Sequence, residues 1–177
     1  YITVHFYDER GREIRTVLPT KAQIRYEWDD YDRITLVIAD NGSTMSYWYA
    51  NNSDRNPSKI IDAVGGITLL EWRIDSELKR IIDPTGVTIS FEYDQYGDLI
   101  RVTNAQGDTS RLVRDDVGRV IQAISPLGFA TYFEYTDKGM LKTVTQADKN
   151  KWIYEYDAHN RLVAVTAPDN AITRYEY

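Results

Sequence analysis

The stretch VTISFEYDQYGDLIRVTNAQG, Val87 to Gly107, is followed without a break by DTSRLVRDDVGRVIQAISPLG, FATYFEYTDKGMLKTVTQADK and NKWIYEYDAHNRLVAVTAPDN, which end at Asn170. Each block has the same length and places an aromatic residue, a turn and an apolar segment at the same offsets. Self-similarity at a fixed period marks a repeat architecture, so the period is the first thing to test along the rest of the chain. Stepping by 21 residues from Tyr93 reaches Arg114, Tyr135, Tyr156 and Tyr177 in one direction and Trp72 in the other. One step of 23 then reaches Tyr49, and steps of 21 resume to Trp28 and Tyr7. Eight of these nine anchor positions are aromatic, with Arg114 the exception. Two residues before each anchor stands a second, mostly apolar position: His5, Tyr26, Tyr47, Leu70, Phe91, Leu112, Phe133, Tyr154 and Tyr175. A separation of two places both side chains on one face of a β-strand.

The turns keep the same beat. After the anchor come groups such as Asp8-Glu9-Arg10-Gly11, Asp94-Gln95-Tyr96-Gly97, Asp115-Asp116-Val117-Gly118, Thr136-Asp137-Lys138-Gly139 and Asp157-Ala158-His159-Asn160. A side-chain oxygen first and Gly or Asn last predict a type I turn followed by a left-handed residue, a common hairpin closure. A second turn closes each repeat, as in Asp83-Pro84-Thr85-Gly86, Asn104-Ala105-Gln106-Gly107, Ser125-Pro126-Leu127-Gly128 and Ala167-Pro168-Asp169-Asn170. Proline in second place presets φ for such a turn, and Pro19 falls at the same phase. Between turns the residues alternate: Val87, Ile89, Phe91 and Tyr93 point one way, Thr88, Ser90 and Glu92 the other.

About eight repeats of two strands each therefore predict some sixteen strands in an all-β chain of antiparallel hairpins. So large a sheet is expected to curl under its own twist. Glu recurs just before the anchor, at positions 27, 71, 92, 134, 155 and 176, and defines a wet face. Arg15, Lys79, Arg80, Arg101 and Lys142 on the intervening strands are expected to offset those acids. Leu141 and Val144, like Leu162 and Val165, differ by three, so the first of each pair belongs at the hairpin mouth or at a bulge. The third repeat, YANNSDRNPSKIIDAVGG from Tyr49, contains Pro57, carries two extra residues and lacks the turn signature.

Composition narrows the function. A formal net charge of -6 argues against nucleic acid or an anionic membrane as the main partner. With no Cys and two separated histidines, His5 and His159, a zinc site or nucleophilic triad has little material. The acids Asp29, Asp30 and Asp32, and Asp115 with Asp116, lack the glycine-rich pattern of calcium repeats and read as solvated turns. No run approaches the ~18 apolar residues of a membrane span. The chain opens inside a strand and reads as a segment of something longer, so its edge strands are candidates for pairing with further repeats or for self-association. An enzyme is not expected, nor a cofactor.

The pattern Tyr-Asp-x-x-Gly-Arg-Leu followed by Asp-Pro-x-Gly resembles the YD repeat of the Rhs family, most clearly in YDERGR (Tyr7 to Arg12), YDQYGDLIRV (Tyr93 to Val102), YDAHNRLVAV (Tyr156 to Val165) and DPTG (Asp83 to Gly86). The resemblance covers the whole chain, 1–177, and implies a segment of a hollow, spiralling shell. Such shells enclose a C-terminal toxin domain in bacterial effectors and insecticidal toxin complexes, and support adhesion in teneurins. It further implies flanking repeats, an enclosed toxin and a secretion adaptor as partners, and a protein delivered by type VI secretion or a related route, or held at a cell surface. The anchors Tyr7, Trp28, Tyr49, Trp72, Tyr93, Tyr135, Tyr156 and Tyr177 are then structural. So are the turn residues Gly11, Asp83, Pro84, Gly86, Gly97, Gly107, Gly118, Pro126, Gly128, Gly139 and Pro168. The family's self-cleavage motif is built on Asp-Pro-x-Gly-Leu; Asp83 to Val87 and Ser125 to Phe129 stand at the turn phase and read as turns. The runner-up is a surface adhesion or carbohydrate-binding array, for which Trp48 and Trp152, off the anchor positions, are the exposed candidates.

Overall fold

The structure is a computed structural model that describes residues 2–177. It is all-β, with no helix among the described residues. Seventeen strands follow one another: β1 Val4–Tyr7, β2 Glu13–Val17, β3 Gln23–Trp28, β4 Ile34–Ile38, β5 Thr44–Trp48, β6 Lys59–Ile61, β7 Ile67–Trp72, β8 Leu78–Ile82 and β9 Thr88–Tyr93, then β10 Leu99–Thr103, β11 Thr109–Arg114, β12 Val120–Ile124, β13 Ala130–Tyr135, β14 Leu141–Thr145, β15 Lys151–Tyr156, β16 Leu162–Thr166 and β17 Ile172–Arg174. The chain divides into two compact units, 1–90 and 91–177, with the division inside β9. In the first, β1 to β9 pair antiparallel in chain order. In the second, β10 to β17 do the same. Each is a meander of short hairpins, the arrangement that five-residue connections enforce; only the connection 49–58 between β5 and β6 is longer.

Within a unit, strands touch only their sequence neighbours. Among the described residues no large side chain is fully buried; the only buried residues are the small Ala164, Thr16 and Thr143. Stability therefore rests on backbone ladders and cross-strand side-chain pairs rather than on an enclosed core.

The hairpins are closed by one turn type, as the phase of glycine and aspartate predicts. In the first turn of a repeat the Asp8 N–H donates to the Arg12 carbonyl (2.9 Å) and the Gly11 N–H to the Asp8 carbonyl (3.0 Å). The same two bonds recur from Leu18 to Asn170. The fourth residue of every such turn has positive φ: nine glycines, and also Lys21, Asp32, Ser76, Lys149, Asn160 and Asn170. Glycine adopts that conformation without a Cβ penalty, whereas Lys and Ser hold it only because the ladders on both sides require it.

A bulge sits beside the anchor. In β15–β16, Glu155 pairs with Ala164 but Tyr156 pairs with Leu162, so Val163 is the extra residue; β13–β14 repeats this with Lys142 extra. The shift falls at the same place in β1–β2, β3–β4, β7–β8 and β11–β12. It explains the three-residue spacing: Val165 faces Tyr154 and Leu162 faces Tyr156, so both share the anchor face. The expected charge offset on the other face holds for Glu71 with Arg80 and for Glu92 with Arg101 (3.0 Å). Elsewhere it does not. Arg15 stacks on Phe6 (3.9 Å), Thr143 bonds Glu134 (2.8 Å), and Lys79 and Lys142 fall at the bulge, where the register removes them from the row of acids.

Candidate functional site

The turn aspartate is the first component of the repeat's working unit. Asp157 Oδ1 accepts the N–H groups of His159 (2.8 Å) and Arg161 (2.9 Å), which orders the turn. Its other oxygen accepts Arg161 Nε at 2.7 Å. Asp8–Arg12, Asp29–Arg33 and Asp115–Arg119 reproduce both halves. These four carboxyls are held below the usual carboxylate range. For Asp8 and Asp157 the backbone amide four residues on is the leading cause; for Asp29 and Asp115 desolvation is the largest single influence and pulls upward, and the arginine bond, the two turn N–H bonds and the arginine charge together outweigh it.

The arginine so aimed meets the next repeat. Arg12 lies over Trp28 (5.8 Å), Arg33 over Tyr49 (4.1 Å), Arg119 over Tyr135 (4.8 Å) and Arg161 over Tyr177 (4.9 Å). Each is a cation–π contact sixteen residues along the chain, from one hairpin to the anchor of the following one. Arg12 also donates to the Asp29 carbonyl (2.9 Å).

The anchor returns the contact through its polar tip. The Trp28 indole N–H donates to the Glu13 carbonyl (2.8 Å), Tyr49 OH to Ile34 (2.9 Å), Trp72 to Pro57 (2.8 Å), Tyr135 OH to Val120 (2.8 Å) and Tyr156 OH to Leu141 (2.9 Å). Every one of these bonds spans fifteen residues. Burial raises the Tyr49 and Tyr156 hydroxyls above the ordinary phenol range. Arg114 performs the same reach in place of an aromatic: Nη2 donates to the Leu99 carbonyl (3.3 Å) and Nη1 to Gly118 (2.7 Å).

Aspartate, arginine and anchor thus form a clasp that ties one hairpin to the next at four joints, ending at Trp28, Tyr49, Tyr135 and Tyr177; Trp72 and Tyr156 contribute the backbone bond with Asn56 and Met140 at the arginine's place. Of the residues singled out from the sequence, the anchors Trp28, Tyr49, Tyr135 and Tyr177 take part in it; the arginines were passed over, although their position after the left-handed turn residue, Gly11, Asp32, Gly118 or Asn160, was visible. Asp83 takes the N–H groups of Thr85 and Val87 in an ordinary closed turn, so Asp83 to Val87 is a hairpin tip, and Ser125 to Phe129 another. Trp48 is 54% exposed with Lys59 at 4.2 Å from its ring, on the face away from the anchors. Trp152 is half-buried on the anchor face opposite Val144. His5 bonds Glu13 (2.8 Å), and among the described residues no group of His, Asp and Glu is placed to hold a metal ion.

The third repeat is the one irregular place. Residues 49–58 replace the four-residue turn, and Arg33 secures them by donating to the Asn51 (2.8 Å) and Asp54 (2.7 Å) carbonyls while Asp29 holds its other side.

A meander of clasped hairpins is a repeat-built structural module. The chain belongs to the RHS Repeat family, whose signature matches residues 76–109, 93–131 and 135–172, more than half of its length. It is 30% identical over 116 residues to Double-stranded DNA deaminase toxin A of Burkholderia cenocepacia, covering 66% of this chain and 8% of that protein. It is 28% identical over 167 residues to Toxin protein Tse5 of Pseudomonas aeruginosa, covering 90% of this chain and 12% of the relative. Both relatives are bacterial toxins, and the chain spans only about a tenth of each. The fold is shared with the TcdB2-TccC3-TEV crystal structure at a TM-score of 0.71 and 17% identity, over 99% of this chain and 11% of that one. TcdB2-TccC3 without its hypervariable C-terminal region gives 0.61 at 16% identity, over 93% and 11%.

Proposed function

We propose that residues 1–177 are one continuous run of repeats in the wall of a toxin-associated shell, and that this wall encloses a C-terminal toxin domain until delivery. The segment contributes no catalysis on this reading. Its work is exclusion, done by backbone ladders and reinforced at four of the joints by the clasp. The observation that carries the reading is the repetition of the clasp: the same three-residue device ties hairpin to hairpin, which serves continuity of a barrier and has no use in a site that must be unique. The toxin names of the relatives supply the context, and a secreted or delivered bacterial effector is the matching localisation. Further repeats would pair at the edge strands, the toxin domain would be the cargo, and the secretion adaptor, with type VI delivery as the route, would lie outside these residues. The test uses the full-length parent protein. Paired Arg119→Ala and Tyr135→Ala changes should make its C-terminal domain sensitive to added protease while the wild type protects it. Equal digestion of that domain in both proteins refutes enclosure.

A further inference from the structure

The joint that ends on Trp72 lacks the clasp arginine, and the side-chain amide of Asn56, which stands in its place, reaches only the Ser76 carbonyl, at 3.5 Å. A cleft of about 680 Å³ opens there, between the connection 49–58 and the β7–β8 hairpin, in the size range of small-molecule sites. Two cations on its walls are positioned from behind. Arg55 is carried by backbone fixed on both sides, since Arg33 donates to the Asp54 carbonyl (2.7 Å) and the Trp72 indole N–H to the Pro57 carbonyl (2.8 Å). Lys79 is the extra residue of the β7–β8 bulge, where Glu71 pairs with Arg80 and Trp72 with Leu78, and a bulge re-aims the side chain it carries.

The other charges of the lining are engaged. Arg73 pairs with Asp75 (3.0 Å) and Glu77 (3.4 Å), Glu71 pairs with Arg80, and one oxygen of Asp54 accepts the backbone N–H (2.9 Å) and side-chain amide (3.3 Å) of Asn51. Arg55 and Lys79 are exposed, and their side chains make no hydrogen bond or ion pair among the described residues. With three cations against two carboxylates, the lining has a positive balance inside a chain of net charge -6. Ser53, Asn56 and Ser76 add hydroxyl and amide donors to the same walls. A guanidinium fork offers two parallel bonds to a tetrahedral oxyanion, an ammonium supplies a compact point charge, and neutral donors take the remaining oxygens. That donor set matches a phosphate group. We infer that this cleft binds a phosphate group, one per chain, through Arg55 and Lys79. Phosphate binding and enclosure are independent, and either can fail without the other.

The experiment titrates the 177-residue chain with inorganic phosphate, with glycerol 3-phosphate and with phosphatidylcholine vesicles containing phosphatidic acid, at an ionic strength held constant with sodium chloride. Calorimetry and the emission of Trp72, which lines the cleft, report binding. Saturable one-to-one binding in the millimolar range or tighter is expected. Saturation by either soluble probe assigns a free ligand, whereas binding confined to the vesicles assigns a lipid headgroup. In each case Arg55→Gln and Lys79→Gln should weaken binding about tenfold at unchanged melting temperature, while Lys138→Gln, at an exposed turn of the second unit, leaves it alone. Absence of saturation with all three probes, or an affinity indifferent to both Arg55→Gln and Lys79→Gln, overturns the assignment.

Discussion

Asp98 lies 3.8 Å from Arg114, and each occupies a place that belongs to the opposite chemistry elsewhere. Asp98 stands at the position of Arg12, Arg33, Arg119 and Arg161, directly after the left-handed turn residue; Arg114 stands where Trp28, Tyr49, Tyr135 and Tyr177 receive those arginines. A cation–π contact has been exchanged for an ion pair across the same joint. At this joint the two partners have changed together, whereas Tyr156 keeps its anchor bond with Met140 at the arginine's place.

A double-mutant cycle follows from that pairing. Asp98→Arg alone sets two guanidinium groups against each other and lowers stability; Arg114→Tyr alone leaves a carboxylate facing a phenol and loses the bond to Gly118. The double variant restores the usual clasp and should recover about 1 kcal/mol beyond the sum of the single changes, read by chemical denaturation. Strict additivity would mean the joint carries no coupling.

Removing only the polar tip of an anchor isolates the second half of the clasp. Tyr135→Phe keeps the ring under Arg119 but strands the Val120 carbonyl, at a cost of about 1 kcal/mol. Tyr132→Phe, on the opposite face, is the control and should be neutral in the same melt.

Positive φ at Lys149 and Ser76 stores local strain that glycine would release. Lys149→Gly and Ser76→Gly should each raise stability by about 0.5–1 kcal/mol, while Gly107→Ala, at φ 85°, lowers it by a similar amount. Melting temperatures of the three variants give the signs directly.

Acid should loosen the array through its turn aspartates. Asp8, Asp29, Asp115 and Asp157 are depressed in the folded chain, so their contribution is present above the unfolded value of about 3.9 and is lost as pH falls through their folded values. Melting temperature should hold steady from neutrality to about pH 4 and then drop. Asp157→Asn should flatten part of that drop, since the amide still accepts turn N–H groups but no longer titrates. At the other extreme Tyr49 and Tyr156, raised by burial, stabilise fully below pH 10.0 and lose that contribution as pH climbs through their folded values.

Much of this was readable from residues alone because its causes are local. The 21-residue beat, the alternation of Ile89, Phe91 and Tyr93, and Asp or Asn three residues before a glycine each report backbone preferences acting within a few residues, and they determined the hairpins, their turns and their number. The bulge was half legible, since Leu162 and Val165 could not share a face without one, yet which residue was extra depended on the partner strand. What only the tertiary structure decided is where Arg161, Arg119, Arg33 and Arg12 point: sixteen residues of chain must run out along one strand and fold back through a turn before an arginine finds its ring, and no local preference encodes that meeting. The equivalence of Arg114 to a tyrosine and the cleft beside residues 49–58 belong to the same category, because both arise where neighbouring hairpins are brought together by their shared ladders.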